Sequence, residues 1–151
     1  PGQIVVSGEI KAIERAVALA KEKGSPRTVI LAVSAPFHCS LMQPAAKRLA
    51  EYLAGIPVKS LAYPVITNVE AQPNQEVNRI KELLIRQVTS PVLWEDSVFT
   101  MTQMGVNTFI EIGPGRILSG LVKRINKNAT ILNVEDTASF KKLEKIWKEM
   151  N

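Results

Sequence analysis

At 151 residues, with 46% hydrophobic and only 5% aromatic side chains, the chain has single-domain length and can fill a core mainly from Ile, Leu, Val and Ala. Nineteen basic against fourteen acidic residues leave a net charge of +5, spread without a basic run or aromatic–basic interleaving, which argues against a nucleic-acid binder. One cysteine excludes an internal disulfide, and no apolar run approaches the roughly 18 residues of a membrane span, so the chain reads as cytoplasmic with no membrane partner.

Pro1 is not a translated start, which implies processing or a longer parent chain. Gln3 to Ser7 reads as a strand, with Ser7 placed to cap a helix carrying Ile10, Ile13, Ala16, Val17 and Ala20. Gly24 and Pro26 supply its stop. Arg27 to Val33 is the next strand, which completes a βαβ-sized unit. Pro36 biases Ala35 toward extended backbone and ends that strand. Ser40 then reads as an N-cap with Gln43 three residues on, the pattern of a capping box.

The second helix carries Leu41, Ala45, Leu49, Tyr52 and Leu53 and closes at Gly55 and Pro57. Ala62 to Val69 is a brief strand that runs into a loop at Gln72-Pro73-Asn74. A third helix holds Val77, Ile80, Leu83, Leu84 and Val88 and ends before Pro91. A fourth holds Trp94, Val98, Met101 and Met104, with Gly105 as its C′ residue. Val106 to Ile112 is a buried strand leading through Gly113-Pro114-Gly115 into a helix with Ile117, Leu118, Leu121, Val122 and Ile125. Ala129 to Val134 is a last strand, and Phe140, Leu143, Ile146, Trp147 and Met150 line a terminal helix. Strands alternating with helices predict α/β layers with much parallel pairing.

His38 and Cys39 are the only residues of their kinds, and they sit between a strand end and a helix start. An imidazole both accepts and returns a proton near neutral pH, so His38 is the first candidate for reactive chemistry. Its competing reading is a structural histidine hydrogen-bonded near the helix start. Cys39 is a poor partner because adjacent side chains in an extended loop point apart, and it reads as a small core residue. Metal binding is unsupported, with no second histidine and no carboxylates at ligand spacing. Gly113-Pro114-Gly115 could present backbone N–H groups to an anion but lacks a nucleotide-loop glycine pattern, so a tight turn is the favoured reading.

The blocks Pro1-Gly2-Gln3-Ile4-Val5-Val6-Ser7-Gly8, Val33-Ser34-Ala35-Pro36-Phe37-His38-Cys39-Ser40-Leu41-Met42, Thr67-Asn68-Val69, Arg86-Gln87 and Glu111-Ile112-Gly113-Pro114-Gly115 occur in order along the chain. Together they resemble the malonyl-CoA:acyl carrier protein transacylases, and most of them also resemble the acyltransferase domains of polyketide and fatty-acid synthases. The resemblance implies the C-terminal part of an α/β-hydrolase-like subdomain at residues 35–151. Residues 1–34 would form half of a ferredoxin-like small subdomain. It implies malonyl transfer from malonyl-CoA to the phosphopantetheine thiol of acyl carrier protein through an acyl-serine, with no tightly bound cofactor.

On that resemblance His38 is the catalytic base and Gln87 the residue whose backbone carbonyl holds its ring. Asn68 lines the pocket, and Phe37 favours malonyl over methylmalonyl. Arg116, at the helix after the Gly-Pro-Gly turn, is a candidate contact for the acidic carrier. No Gly-x-Ser-x-Gly occurs in the sequence, so the nucleophile and the carboxylate-binding arginine are expected from a missing N-terminal part of the same enzyme. The chain by itself is then expected to be inactive. A non-catalytic carrier-binding remnant and a domain excised from a synthase are the alternatives.

Overall fold

Apolar residues at helical spacing become helices along the whole chain of this computed structural model, which describes residues 2–150; Pro1 lies outside them. Two units divide at residue 93, one of residues 2–93 and one of residues 94–150.

In the first unit, α1 spans Ile10–Glu22, α2 Gln43–Ala54 and α3 Val77–Thr89. α2 packs on α3, with Ala46 and Leu83 buried between their neighbours. The Lys81 ammonium donates to the Ala54 carbonyl at 3.1 Å, satisfying one of the open carbonyls that end α2. A short antiparallel pair, β1 (Val65–Ile66) with β2 (Pro73–Asn74), aligns Val65 with Asn74 and Ile66 with Pro73.

In the second unit, α4 spans Trp94–Gln103, β3 Thr108–Ile112, α5 Ile117–Ile125, β4 Thr130–Val134 and α6 Thr137–Met150. β3 and β4 are parallel, with Thr108 opposite Thr130 and Ile112 opposite Val134, and α5 is the crossover such a pair requires. The core of this unit is Val98, fully buried, with Val122 and Ala129, enclosed by Trp94, Met101, Phe109, Ile125 and Ile131. α4 ends as expected at Gly105. The Val106 N–H donates to Met101 and the Gly105 N–H to Thr102, a Schellman closure that Gly105 permits at φ 88°. No helix among the described residues is long and apolar enough to cross a membrane.

Four local expectations are corrected. Ser7 does not cap α1, whose N-cap is Glu9; the Ala12 and Ile13 N–H groups donate to the Glu9 carbonyl. Residues 3–7 and 27–33 join no ladder among the described residues. A strand's donors and acceptors point sideways and need a neighbour. Without one the backbone folds back on itself, as where the Val33 N–H donates to Leu31 at 2.9 Å. Their apolar side chains stay open, Ile4 89% and Ile30 68% exposed. The strand expected over 62–69 contracts to β1, and the expected loop at Gln72-Pro73-Asn74 supplies its partner, β2. Pro73 is tolerated because it lies at an edge. Ser40 opens a 3₁₀ turn, Ser40–Met42, in place of a capping box, and α2 follows with Met42 as its uncapped N-cap.

The reciprocal cap that does form is at α6. The Ser139 N–H donates to Asp136 Oδ1 at 2.7 Å, and the Asp136 N–H donates to Ser139 Oγ at 3.0 Å.

The carboxylates of Asp136 and Glu111 both sit on open helix N–H groups. The Ser139 N–H and hydroxyl hold Asp136 below its ordinary value of 3.8. The Ser119 hydroxyl, then the Ser119 and Leu118 N–H groups and the Asn133 amide, hold Glu111 below 4.5. A group with a depressed folded pKa binds fewer protons in the folded state. Its stabilisation is therefore complete above the unfolded value and drains away as pH falls through the folded one. The urea midpoint should thus decline below pH 4.5, and Glu111→Gln should flatten that acid limb while lowering the midpoint at neutral pH. In the core, Val98→Ala should cost about 2 kcal/mol by removing buried methyl groups, read from the same urea curves.

Candidate functional site

The loop between residue 34 and α2 is a series of tight bonds. The Phe37 N–H donates to Ala35 at 3.0 Å, the Cys39 thiol to the Pro36 carbonyl at 3.1 Å, and the Met42 N–H to Cys39 at 3.0 Å. The Cys39 thiol is therefore directed to its own loop, and the residue is half-buried there and not in the core expected of it. Between these bonds His38 sits at φ 62°, in the left-handed region that costs a non-glycine residue about 1–3 kcal/mol. Its side chain is exposed, not embedded in hydrocarbon.

The ring meets the end of α3. His38 Nδ1 is 3.1 Å from the Gln87 carbonyl oxygen and 3.3 Å from Gln87 Nε2. The carbonyls of the last helical turn have no partner within the helix, so the Gln87 oxygen is available and carries the negative end of the helix dipole. The two contacts favour opposite tautomers, because a carbonyl only accepts and an amide NH₂ only donates. The shorter contact decides. An unprotonated Nδ1 would set lone pair against lone pair, and the amide already has the Ser90 carbonyl as acceptor at 3.4 Å. In the neutral ring this places the proton on Nδ1 and the lone pair on Nε2. In that state Nε2 can take a proton from a hydroxyl or thiol.

Of the other residues singled out from the sequence, Phe37 flanks the histidine and is 45% exposed. Asn68 lies in the loop after β1, where its backbone carbonyl accepts the Leu93 N–H at 2.9 Å. That bond ties the β1–β2 loop to the segment leaving α3. No hydrogen bond among the described residues joins the Asn68 side chain to His38, so the two are brought together only through this backbone link and α3.

Two residues on from Asn68, the sequence reading overlooked Glu70. Both of its oxygens accept from Arg79 Nη2 at 2.9 Å, and Oε1 accepts from Arg86 Nη1 at 2.7 Å. Arg86 also donates to Glu82 at 3.2 Å. Arg86, ahead of the opposing cost of desolvation, holds Glu70 below the usual carboxylate range. The available signal was the spacing of Arg79 and Arg86, two helical turns apart and so on one face. Nothing in the sequence assigns the carboxylate between them.

In the second unit, the Gly113-Pro114-Gly115 turn has its N–H groups engaged by the chain itself. The Leu118 and Ser119 N–H groups donate to Glu111 at 3.1 and 2.7 Å, and the Gly115 N–H donates to Glu135 at 3.2 Å. This agrees with the turn reading over the anion reading. Arg116, the N-cap of α5, is exposed.

No protein-family model matches the chain. It is 47% identical over all 151 residues to the malonyl CoA-acyl carrier protein transacylase of Bacillus subtilis (strain 168), covering 48% of that protein. It is 44% identical over 144 residues to the transacylase of Haemophilus influenzae, covering 46% of it. Among solved structures it resembles the transacylase from Clostridium perfringens with a TM-score of 0.88 and 48% identity, over 95% of this chain and 45% of that one. It also resembles a malonyl-transacylase solved in complex with its type II PKS acyl-carrier protein, with a TM-score of 0.83 and 45% identity, over 87% of this chain and 43% of that one. The chain spans about half the length of the curated relatives it matches. Over its whole length the chain is homologous to the malonyl CoA-acyl carrier protein transacylases and matches their C-terminal portion.

Proposed function

We propose that the chain is the histidine-bearing part of an acyl-carrier-protein S-malonyltransferase. The observation that carries this reading is the His38 Nδ1 contact with the Gln87 carbonyl, on a chain homologous throughout to malonyl transacylases. A serine hydroxyl from the segment that the relatives have and these 151 residues do not would attack the malonyl thioester carbonyl. Its proton passes to His38 Nε2 as the carbon–oxygen bond forms. The carbon–sulfur bond then breaks, and His38 returns the proton to the departing coenzyme A thiolate. In the second half, His38 takes the proton of the phosphopantetheine thiol as that sulfur attacks the acyl-serine, and gives it back to the serine. Gln87 keeps the ring in the tautomer that both halves use, as the third member of a triad does. Asn68 lines the same pocket, and acyl carrier protein is the acceptor partner.

The small-subdomain boundary near residue 34 belongs to the same proposal. The bare apolar side chains of residues 4–6 and 29–33 support a reading in which further strands of the parent enzyme pair with them.

Two substitutions test the reading, in a protein carrying both this chain and the upstream segment. His38→Ala should lower malonyl transfer by about 10²–10⁴-fold, the usual contribution of a general base. Near-normal transfer by that variant would remove the proposal. Phe37→Ser should raise the kcat/KM ratio of methylmalonyl-CoA to malonyl-CoA by about 10-fold or more, because a ring that crowds an α-methyl is worth roughly 1–3 kcal/mol in such a pocket. An unchanged ratio would free Phe37 from any role in selectivity.

A further inference from the structure

We propose that Glu70 is a positioning residue for His38: by holding Arg86 and Arg79 against the β1–β2 loop, its carboxylate sets the Gln87 carbonyl that fixes the imidazole's tautomer. The proposal deepens the general-base reading of His38 and rests on it.

The last turn of a helix is its least constrained part, because its carbonyls lack partners and its ends fray. α1 and α4 close their ends with a Schellman pair of backbone bonds. α3 does not. Its C-cap, Ser90, is extended at φ −107° and ψ 152°, so the chain leaves the helix with no left-handed residue to lock it. Yet the carbonyl that meets His38 belongs to this unlocked turn. A contact of 3.1 Å that must select one tautomer needs the helix end held from outside.

Glu70 supplies that hold. Its bonds to Arg79 and Arg86 grip α3 at two points seven residues apart, about two turns, so they oppose both sliding and rotation of the helix. Arg86 immediately precedes Gln87. The loop bearing Glu70 is stiff in its own right. The Thr67 N–H donates to Gln72 at 3.1 Å, the Ala71 N–H donates to Thr67 at 2.8 Å, and buried Ala71 takes φ 53°. A second tie, from the Leu93 N–H to the Asn68 carbonyl, fastens the same loop beyond the helix. The strained backbone at His38 fixes the ring from one side, and the Glu70 clamp fixes the carbonyl from the other.

The ion pairs are too exposed to matter much for stability. The side chains of Arg79 and Arg86 are 35% and 43% exposed, and that of Glu70 is 23% exposed. Pairs of this kind stabilise a fold weakly. Their effect is on geometry, and that separates a positioning role from a structural one.

The test uses Glu70→Gln in a protein carrying both this chain and the upstream segment, with ¹⁵N-labelled histidine and His38→Ala to assign the ring signals. The expected result is a thermal midpoint close to the parent's. The ¹⁵N shifts of His38 should move from the pure Nδ1–H tautomer toward a mixture. kcat for malonyl transfer should fall about tenfold, within the range that small displacements of reacting groups produce, while KM for malonyl-CoA stays within about twofold. Ser139→Ala, which removes a helix cap in the other unit, should lower the thermal midpoint and leave the His38 signals in place.

Unchanged ¹⁵N shifts in Glu70→Gln would overturn the proposal, whatever happens to the rate. So would shifts that move equally in Ser139→Ala. Retained transfer in His38→Ala would instead defeat the general-base reading, and the ¹⁵N comparison would still decide whether Glu70 governs the ring.

Discussion

One ring nitrogen facing one unshared carbonyl organises the first unit. A helix leaves its last carbonyls without donors, and a histidine whose Nδ1 carries the proton needs an acceptor of that kind. Bringing the two together requires a loop bent into left-handed backbone at His38 and a helix that stops at Thr89, before Pro91. Pro36, Pro44 and Pro91 each restrict the chain near this contact, so the geometry is set by backbone limits more than by any large buried surface.

The two units use different means of holding together. Residues 94–150 form a small parallel α/β layer with its own core around Val98, and their polar groups are met locally, by Glu111, Ser119, Asn133 and the Asp136–Ser139 cap. Residues 2–93 rely on α2 against α3, and leave two apolar stretches open. The second unit leaves apolar side chains open as well, Ile112 80% and Ile117 77% exposed, so the two differ in how their backbone is met more than in how much apolar surface they cover.

Sequence pattern located the helices because their apolar stripes are periodic, and it located β3 from Val106, Phe109, Ile110 and Ile112 running into Gly-Pro-Gly, although the strand expected to be buried is only half-buried and Ile112 stays exposed. It overstated strands at 3–7 and 27–33, since a strand's composition announces burial but cannot say whether a neighbour is present. It placed a cap at Ser40 and missed the one at Asp136 because spacing does not separate them: both have the three-residue interval, but only Asp136 directly precedes a full α-helix, while Ser40 enters a 3₁₀ turn. His38 stood out as the only histidine, at a strand-to-helix junction, but its pairing with Gln87 was legible only through family resemblance, because no local pattern links residues 49 apart. Glu70 was beyond reach for the same reason, its partners lying 9 and 16 positions away.

The carboxylate of Glu111, lodged on the opening turn of α5, gives that corner a permanent internal counter-ion. A helix start already neutralised from within has little field left to lend. The Gly-Pro-Gly corner is thereby closed as an anion site by the chain's own carboxylates, Glu111 on the helix start and Glu135 on the Gly115 N–H.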